Sequence, residues 1–432
     1  MTTTSPQHVL ETSELSPALV EEYTATRPRS REAFEKARRL LPGGQTRSVT
    51  HYEPFPSLIR LGRGQMLVDL DGHEYFDALN NYTSLVHGNA FGPASDAVRA
   101  LLDQGVAFAS VHSEQTDLAR RILDRLSSAD LVRFTNSGSE ASSLAARIAR
   151  HVTGRREIVM AEGGFHGSVA PLLPGEPNVV LVPYNDLQAL EQAVTERTAA
   201  VFLEPFQGAG GVIPGKKEYL QHAQKVANSQ GALFVLDEIQ SLRNNYHGVQ
   251  ENLGLSPDLT LIGKIIGGGF PIGAVAGRAK LLDATSPYTV GGLQHAGTFN
   301  GHLAAAAAGS ATLDYLDSAA ISRLNAGASE LASAIEDGAA AAGIKVVVTR
   351  DGSIMNIHPH RVPENAKEAA KPYKFHRSLH LALMLEGVYA ATRGMLNLST
   401  ALTDSDLREV GKLYGNAFQR IAQSPDILED LK

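Results

Sequence analysis

ALFVLDEIQ (residues 232–240) and, after a loop, LTLIGKIIGGG (259–269) decide how the rest of this chain is read. Each opens with a short apolar run of strand length, Ala232 to Leu236 and Leu259 to Gly263. Each run ends on charge that packing does not need. The first ends on Asp237 and Glu238, the second on Lys264, followed by two isoleucines and three glycines. Taken singly, Asp237 equally suits a helix cap and Lys264 a solvated charge. Together, at the C-terminal ends of two buried strands, they point to a ligand, because α/β sheets bind ligands at those ends. A lysine amine beside a buried carboxylate suits pyridoxal phosphate (PLP) chemistry. The amine can form a Schiff base with the aldehyde, and the carboxylate can keep the pyridine nitrogen protonated.

Outward from that stretch, strands alternate with helices. Strands are expected at 131–135, 157–160, 179–182 and 199–203, with helices at 93–105 and 114–127 and an Ala-rich helix after Asn136–Glu140 to about His151. Such alternation argues an α/β fold: a mostly parallel central sheet with helices on both faces. The alternation ends near Ser310. One long helix over about 311–342 follows, then strands at 345–348 and 353–358. A helix near 375–386, a short strand near 396–398 and a last helix over 404–422 complete a smaller α+β unit. Upstream, residues 1 to about 16 read as a mobile tail, and a helix runs from Ser30 to Leu41, stopped by Pro42-Gly43-Gly44. Strand-like segments follow around 58–60 and 66–69, with a hairpin signal at Asp71-Gly72. The expected division is an N-terminal segment (1–75) packing with the small domain, a large ligand-binding domain (76–310) and a C-terminal small domain (311–432).

The 432 residues leave room for a large core, and 43% hydrophobic with 20% charged residues is ordinary for a globular protein. A net charge of −7 without a basic block argues against nucleic acid or an anionic membrane as partner. With no cysteine, disulfides, thiolate metal sites and cysteine nucleophiles are excluded. No run reaches the roughly 18 apolar residues of a membrane span, and the N-terminus has no signal-peptide pattern. A cytoplasmic location is the expectation.

Further polar residues fall at other strand ends. NSGSE (136–140) sits where a strand turns into a helix; its free N–H groups and two hydroxyls would cup an anion, or simply cap the helix. GGFHG (163–167) can lay Phe165 flat over a heterocycle, or be a glycine turn. Glu204-Pro205 puts a carboxylate on the same rim, or a salt bridge. Arg47 and Arg393 are candidate bidentate clamps for substrate carboxylates, or surface ion pairs. His376 and His380 are spaced i, i+4, but Arg377 stands where a zinc protease has Glu. His358 and His360 lack a third ligand, so no metal site is assigned.

In order, NSGSEA, GGFHG, LEPFQG, LDEIQ, GKIIGGG and HAGTFNGH resemble the class III (fold type I) PLP-dependent aminotransferases, over nearly the whole chain. The branch resembled is that of the glutamate-1-semialdehyde aminomutases. Within it, TRSV and YEPFP near residue 50 and ATRGMLNLS (391–399) are most similar to the aryl β-amino-acid, or β-phenylalanine, aminotransferases. The resemblance implies Lys264 as the Schiff-base lysine and Asp237 as the ring-nitrogen partner. Ser137, Gly138 and Ser139 become the phosphate cup, and Phe165 and Ile239 the two faces of the ring. His166, Glu204 and Gln240 join the cofactor site, and Thr298 reaches the phosphate of a neighbouring subunit. It also implies a homodimer with shared active sites. Phe165 departs from the tyrosine common in relatives. Gln45-Thr46-Arg47 replaces the Pro-Val-Arg of aminomutases, which also lack an arginine at position 393. These departures favour transfer of an amino group from a β-amino acid, aromatic ones included, to a separate oxo acid such as 2-oxoglutarate or pyruvate. The alternative is the aminomutase reaction, which returns the amino group to the same molecule. Arg47 and Arg393 are expected on opposite sides of the reacting carbon.

Overall fold

A computed structural model of the chain describes residues 15–424 and Ile427. Its centre is a seven-stranded sheet: β1 (Leu131–Thr135), β2 (Glu157–Ala161), β3 (Val179–Val182), β4 (Thr198–Leu203), β5 (Leu233–Asp237), β6 (Leu259–Gly263) and β7 (Gly273–Gly277). The strand order is β1-β7-β6-β5-β4-β2-β3. All strands run parallel except β7, which is antiparallel to both neighbours. Thr135, Ala161, Leu203, Asp237 and Gly263 therefore all end on one edge of the sheet.

Alternation along the strands explains the layers. Ile158, Met160, Phe202, Val235 and Leu261 face one side, against Leu144, Ala145 and Ile148 of helix α1 (Gly138–Thr153). Val159, Val201, Phe234 and Leu236 face the other, against Leu220, Ala223 and Val226 of α2 (Lys217–Ser229). Strands buried on both faces must be apolar throughout, which is why they read as continuous runs. GAVAG (273–277) has neither bulk nor alternation, and its strand β7 was not anticipated.

Two expectations need correction. The single helix over 311–342 is two, Leu303–Tyr315 and Ser318–Ala341. Asp317 starts the second, its carboxylate accepting the Ala320 N–H at 2.7 Å, so the chain breaks where a capping side chain satisfies helix-end donors. The tail expected over residues 1 to about 16 lies mostly outside the described residues, but Leu15 and Ser16 are buried, and an unanticipated helix spans Pro17–Thr26. The other forecasts shift by a few residues. The hairpin around Gly72 forms, with Met66–Val68 paired to Glu74–Phe76. Val388–Tyr389 then pairs in parallel with Phe76–Asp77, tying the early hairpin to the C-terminal part. Among the described residues no helix is long and apolar enough to cross a membrane.

Candidate active site

Asp237 and Lys264 end neighbouring parallel strands; Asp237 lies opposite Leu261, three residues before the lysine. Successive side chains of a strand take opposite faces, so only one member of the Asp-Glu pair can face the ligand edge. Glu238 turns inward. It accepts the Val249 N–H at 2.8 Å, the Gln250 N–H at 3.1 Å and the Ser241 hydroxyl at 3.1 Å. It therefore organises the chain behind the site. Asp237 is also buried, but it accepts from the Ile239 N–H at 3.0 Å and from His166 Nδ1 at 2.8 Å. A carboxylate only accepts, so Nδ1 carries the proton.

Lys264 itself has φ +51, uncommon for a residue with a side chain and the kind of strain that gathers at functional sites. Burial pulls its ammonium down to about 8, while Asp237 and Glu204 resist and Arg393 and Arg47 add to the shift. Lys264 thus sits where the fields of two carboxylates and two guanidiniums converge. At pH 7 roughly a tenth of such an amine is unprotonated, far more than for an ordinary lysine with a pKa of about 10.4. PLP uptake by the cofactor-free protein should accordingly quicken as pH rises through about 8 and level off above it. An uptake rate still climbing beyond about pH 10 would mean an unshifted lysine.

The Gly-rich loop after β2 is held by Glu204, at the end of β4. Glu204 accepts the Phe165 N–H at 2.9 Å and the Gly208 N–H at 3.2 Å. Burial lifts its pKa to about 7; the neighbouring His166 opposes the shift and Asp237 reinforces it. Burial alone would lower the pKa of His166, but its hydrogen bond to Asp237 and the charges of Asp237 and Glu204 outweigh that and raise it. Among the described residues His166 Nε2 is buried with no partner, and so is Gln240 Oε1. Phe165 is 52% exposed, leaving a ring face open.

At the start of α1, Ser137 caps the helix, accepting the Glu140 N–H at 3.2 Å, and the helix geometry leaves the first amides open. Ser139 Oγ accepts the Ser168 N–H at 3.3 Å. Both small residues here are required by contact. A Cβ on Gly138 would come within 2.7 Å of Ile239 Cδ1, and Gly167, at φ +105, lies against Ser139. Ile239 is thereby wedged between the helix start and Gly263, just before Lys264.

Arg47 is exposed and Arg393 partly buried. Both guanidiniums lie against one ring, that of Tyr82, at 5.3 and 5.4 Å from its centroid. Arg47 Nη1 also donates to Asn81 Oδ1 at 2.7 Å. Among the described residues Arg393 donates only to Met395 Sδ, at 3.3 Å, and its buried Nε has no partner. Among the described residues neither arginine has a carboxylate at ion-pair distance. Thr298 stands apart from these groups. It is exposed in a groove of about 720 Å³ lined by Gln115, Arg133, Phe134 and His295, and it makes no hydrogen bond to the other candidates among the described residues. Of the dismissed histidines, His358, His376 and His380 are buried and His360 is exposed; His376 Nε2 donates to the Ile357 carbonyl at 2.9 Å, and His358 Nε2 to the Gly211 carbonyl at 2.9 Å. Tyr82 went unread in the sequence, although Asn80-Asn81 before it was a signal for left-handed backbone.

PLP asks for an amine, an anion cradle, an acid partner for its ring nitrogen and flat apolar contacts. Lys264, the open start of α1, buried Asp237, and Phe165 with Ile239 match those demands, and among the described residues the buried His166 Nε2 and Gln240 Oε1 have no hydrogen-bond partner. Comparison with known proteins agrees. Residues 48–403 match the family model of class-III aminotransferases. The chain is 37% identical to the β-phenylalanine transaminase of Variovorax paradoxus, over 89% of this chain and 91% of that protein. It is 32% identical to a glutamate-1-semialdehyde 2,1-aminomutase of Bacillus licheniformis, over 92% and 99%. The crystal structure of a β-phenylalanine aminotransferase from Variovorax paradoxus superposes with a TM-score of 0.88, at 35% identity, covering 94% of this chain and 96% of that one.

Proposed function

We infer the reaction from the premise that this chain belongs to the class-III aminotransferase family and is a transaminase with pyridoxal 5′-phosphate as its cofactor. The amino donor we propose is a β-amino acid, aromatic ones of the β-phenylalanine kind included. The acceptor is an oxo acid such as 2-oxoglutarate or pyruvate. The observation that carries this reading is the pair Arg47 and Arg393. Both lack a carboxylate partner among the described residues, and both bear electrostatically on Lys264. Two guanidiniums without a carboxylate among the described residues suit a site that holds a donor carboxylate and then an acceptor carboxylate. Support from relatives comes through the Variovorax enzyme.

In this reading Ser137, Gly138 and Ser139 hold the cofactor's phosphate, and Phe165 and Ile239 lie on its ring. His166, Glu204 and Gln240 complete the cofactor pocket around Asp237. Bound there, PLP supplies an electron sink for the carbon bearing the amine. Lys264 Nζ takes the proton from the donor's amine-bearing carbon and, in the second half-reaction, returns one to the acceptor's oxo carbon. Asp237 holds a proton at the ring nitrogen, with His166 behind it. Arg393 orients the oxo acid and Arg47 the β-amino acid. A homodimer in which Thr298 serves the neighbouring subunit fits its exposure and that of Tyr288, Val290 and Phe299 in the same segment.

Truncating either arginine tests the reading. Loss of a charged, bidentate contact costs roughly 1.5–3 kcal/mol, or about a tenfold to hundredfold rise in KM. Arg393→Ala should raise KM for 2-oxoglutarate, and Arg47→Ala that for the β-amino acid, with PLP retained in both. Unchanged KM values would remove the arginines from substrate binding. The second reading, the aminomutase, is kept because such an enzyme is among the relatives. Turnover of an amino aldehyde with no oxo acid added would decide for it.

A further inference from the structure

The ring shared by the two arginines stands on an unusual backbone. Asn80, Asn81, Tyr82 and Thr83 all lie in the left-handed region, with φ of +47, +46, +55 and +74. Four such residues in a row, one of them aromatic and one β-branched, are strained backbone, and persist only where the surroundings over-determine them. Here they do. Asp77 Oδ1 accepts the Leu79 and Asn80 N–H groups at 3.0 and 2.7 Å. Asn397 donates from Nδ2 to the Leu79 carbonyl at 2.7 Å, and Asn80 donates back to the Asn397 carbonyl at 2.9 Å. Arg243, fully buried, donates to the Thr83 carbonyl, Asn397 Oδ1, Ser353 Oγ and the Leu398 carbonyl. Among the described residues it too has no carboxylate at ion-pair distance. A guanidinium committed wholly to neutral acceptors is there to hold geometry. Tyr82 Oη donates to the Val49 carbonyl at 2.7 Å, two residues from Arg47. Tyr82 packs against the apolar cluster of Leu79, Phe206, Val212, Ile354, Ala391 and Met395, the last two of which flank Arg393 in the chain.

We propose that Tyr82 is a positioning residue for substrate specificity. Its ring, locked by the left-handed turn and the Arg243 clamp, sets the separation of the Arg47 and Arg393 guanidiniums, and with it the amine-to-carboxylate length the site prefers. This rests on the reading of both arginines as substrate clamps.

The test compares Tyr82→Leu, Tyr82→Phe, Arg47→Ala and Arg393→Ala in the PLP-loaded protein. Steady-state kinetics would be run with α-, β- and γ-amino acids. Equilibrium binding of an unreactive carboxylate, 3-phenylpropanoate, would be measured calorimetrically. Loss of a cation–π contact is expected to raise KM for donor and oxo acid roughly two- to thirtyfold in Tyr82→Leu. The competitor should weaken by a similar factor, kcat should fall by less than KM rises, and the preference among amine-to-carboxylate lengths should flatten. Tyr82→Phe keeps the ring, so only the substrate of Arg47 should suffer. If PLP affinity and melting temperature drop in step with KM, Tyr82 is merely structural and the proposal fails. It fails equally if KM, competitor binding and length preference are unmoved in Tyr82→Leu while the arginine variants respond. If the arginine variants do not respond either, the substrate-clamp reading falls and takes this proposal with it.

Discussion

Lys264→Ala is expected to bind PLP and to turn over no donor. Among the described residues Lys264 stands at the edge where β6 ends, with Asp237, Glu204 and both arginines in electrostatic reach. Removing its amine removes the positioned base, worth about 10²–10⁴ in rate, or roughly 3–5 kcal/mol at about 1.36 kcal/mol per decade. The covalent anchoring of the cofactor is lost as well, so the observed drop should lie at or beyond the upper end. Rapid mixing of the loaded variant with candidate donors, followed through the cofactor's absorption, measures it directly. In the unaltered protein, borohydride reduction should fix the cofactor to the peptide carrying Lys264. Label on another lysine would overturn the assignment.

Asp237→Asn should be the next most damaging change. The amide keeps the size and accepts the Ile239 N–H as before, but it carries no charge. Loss of one preorganised electrostatic partner costs about 10²–10³ in kcat, or roughly 2.7–4 kcal/mol. PLP should remain bound, because Lys264 and the phosphate cup proposed at Ser137, Gly138 and Ser139 are untouched. A second readout comes from His166. Its raised pKa depends on the hydrogen bond and charge of Asp237 working against burial. Without that charge, burial is opposed mainly by Glu204, and the imidazole pKa should fall below its value in the unaltered protein. NMR titration of the ring would show the direction. A variant that loses PLP altogether, or keeps its kcat, would make Asp237 a structural residue.

Much of this was open to a reader of the sequence. A strand buried on both faces of a parallel sheet must be apolar along its whole length, so β4, β5 and β6 announce themselves as short apolar runs. Because such strands share a direction, the polar residues that end them must meet on one edge. Asp237, Lys264, Glu204 and the NSGSE turn could therefore be grouped before any coordinates. β7 could not be found this way. Gly273, Ala274, Ala276 and Gly277 carry no period, and only the gap between β6 and β1 defines them as a strand. The helix over 311–342 was read through its break because alanine-rich sequence is helical on either side. The cap at Asp317 shows only once the chain is seen to turn there.

What the sequence by itself determined about this protein is its local grammar: where apolar runs stop, which charges stand at their ends, and the motif order shared with a family. The motif order singled out Asp237, but only the tertiary structure shows what occupies Glu238, which turns inward onto the Val249 and Gln250 N–H groups because the phase of the strand against its neighbours puts it there. Tertiary structure alone brought Arg47 and Arg393, 346 positions apart by number (393 − 47), onto one tyrosine ring. It alone also placed Arg243 beneath the left-handed turn at residues 80–83. Contacts of that range leave no periodicity and no neighbouring signature. They arise when packed layers close around a strained turn, and only the assembled core can hold it.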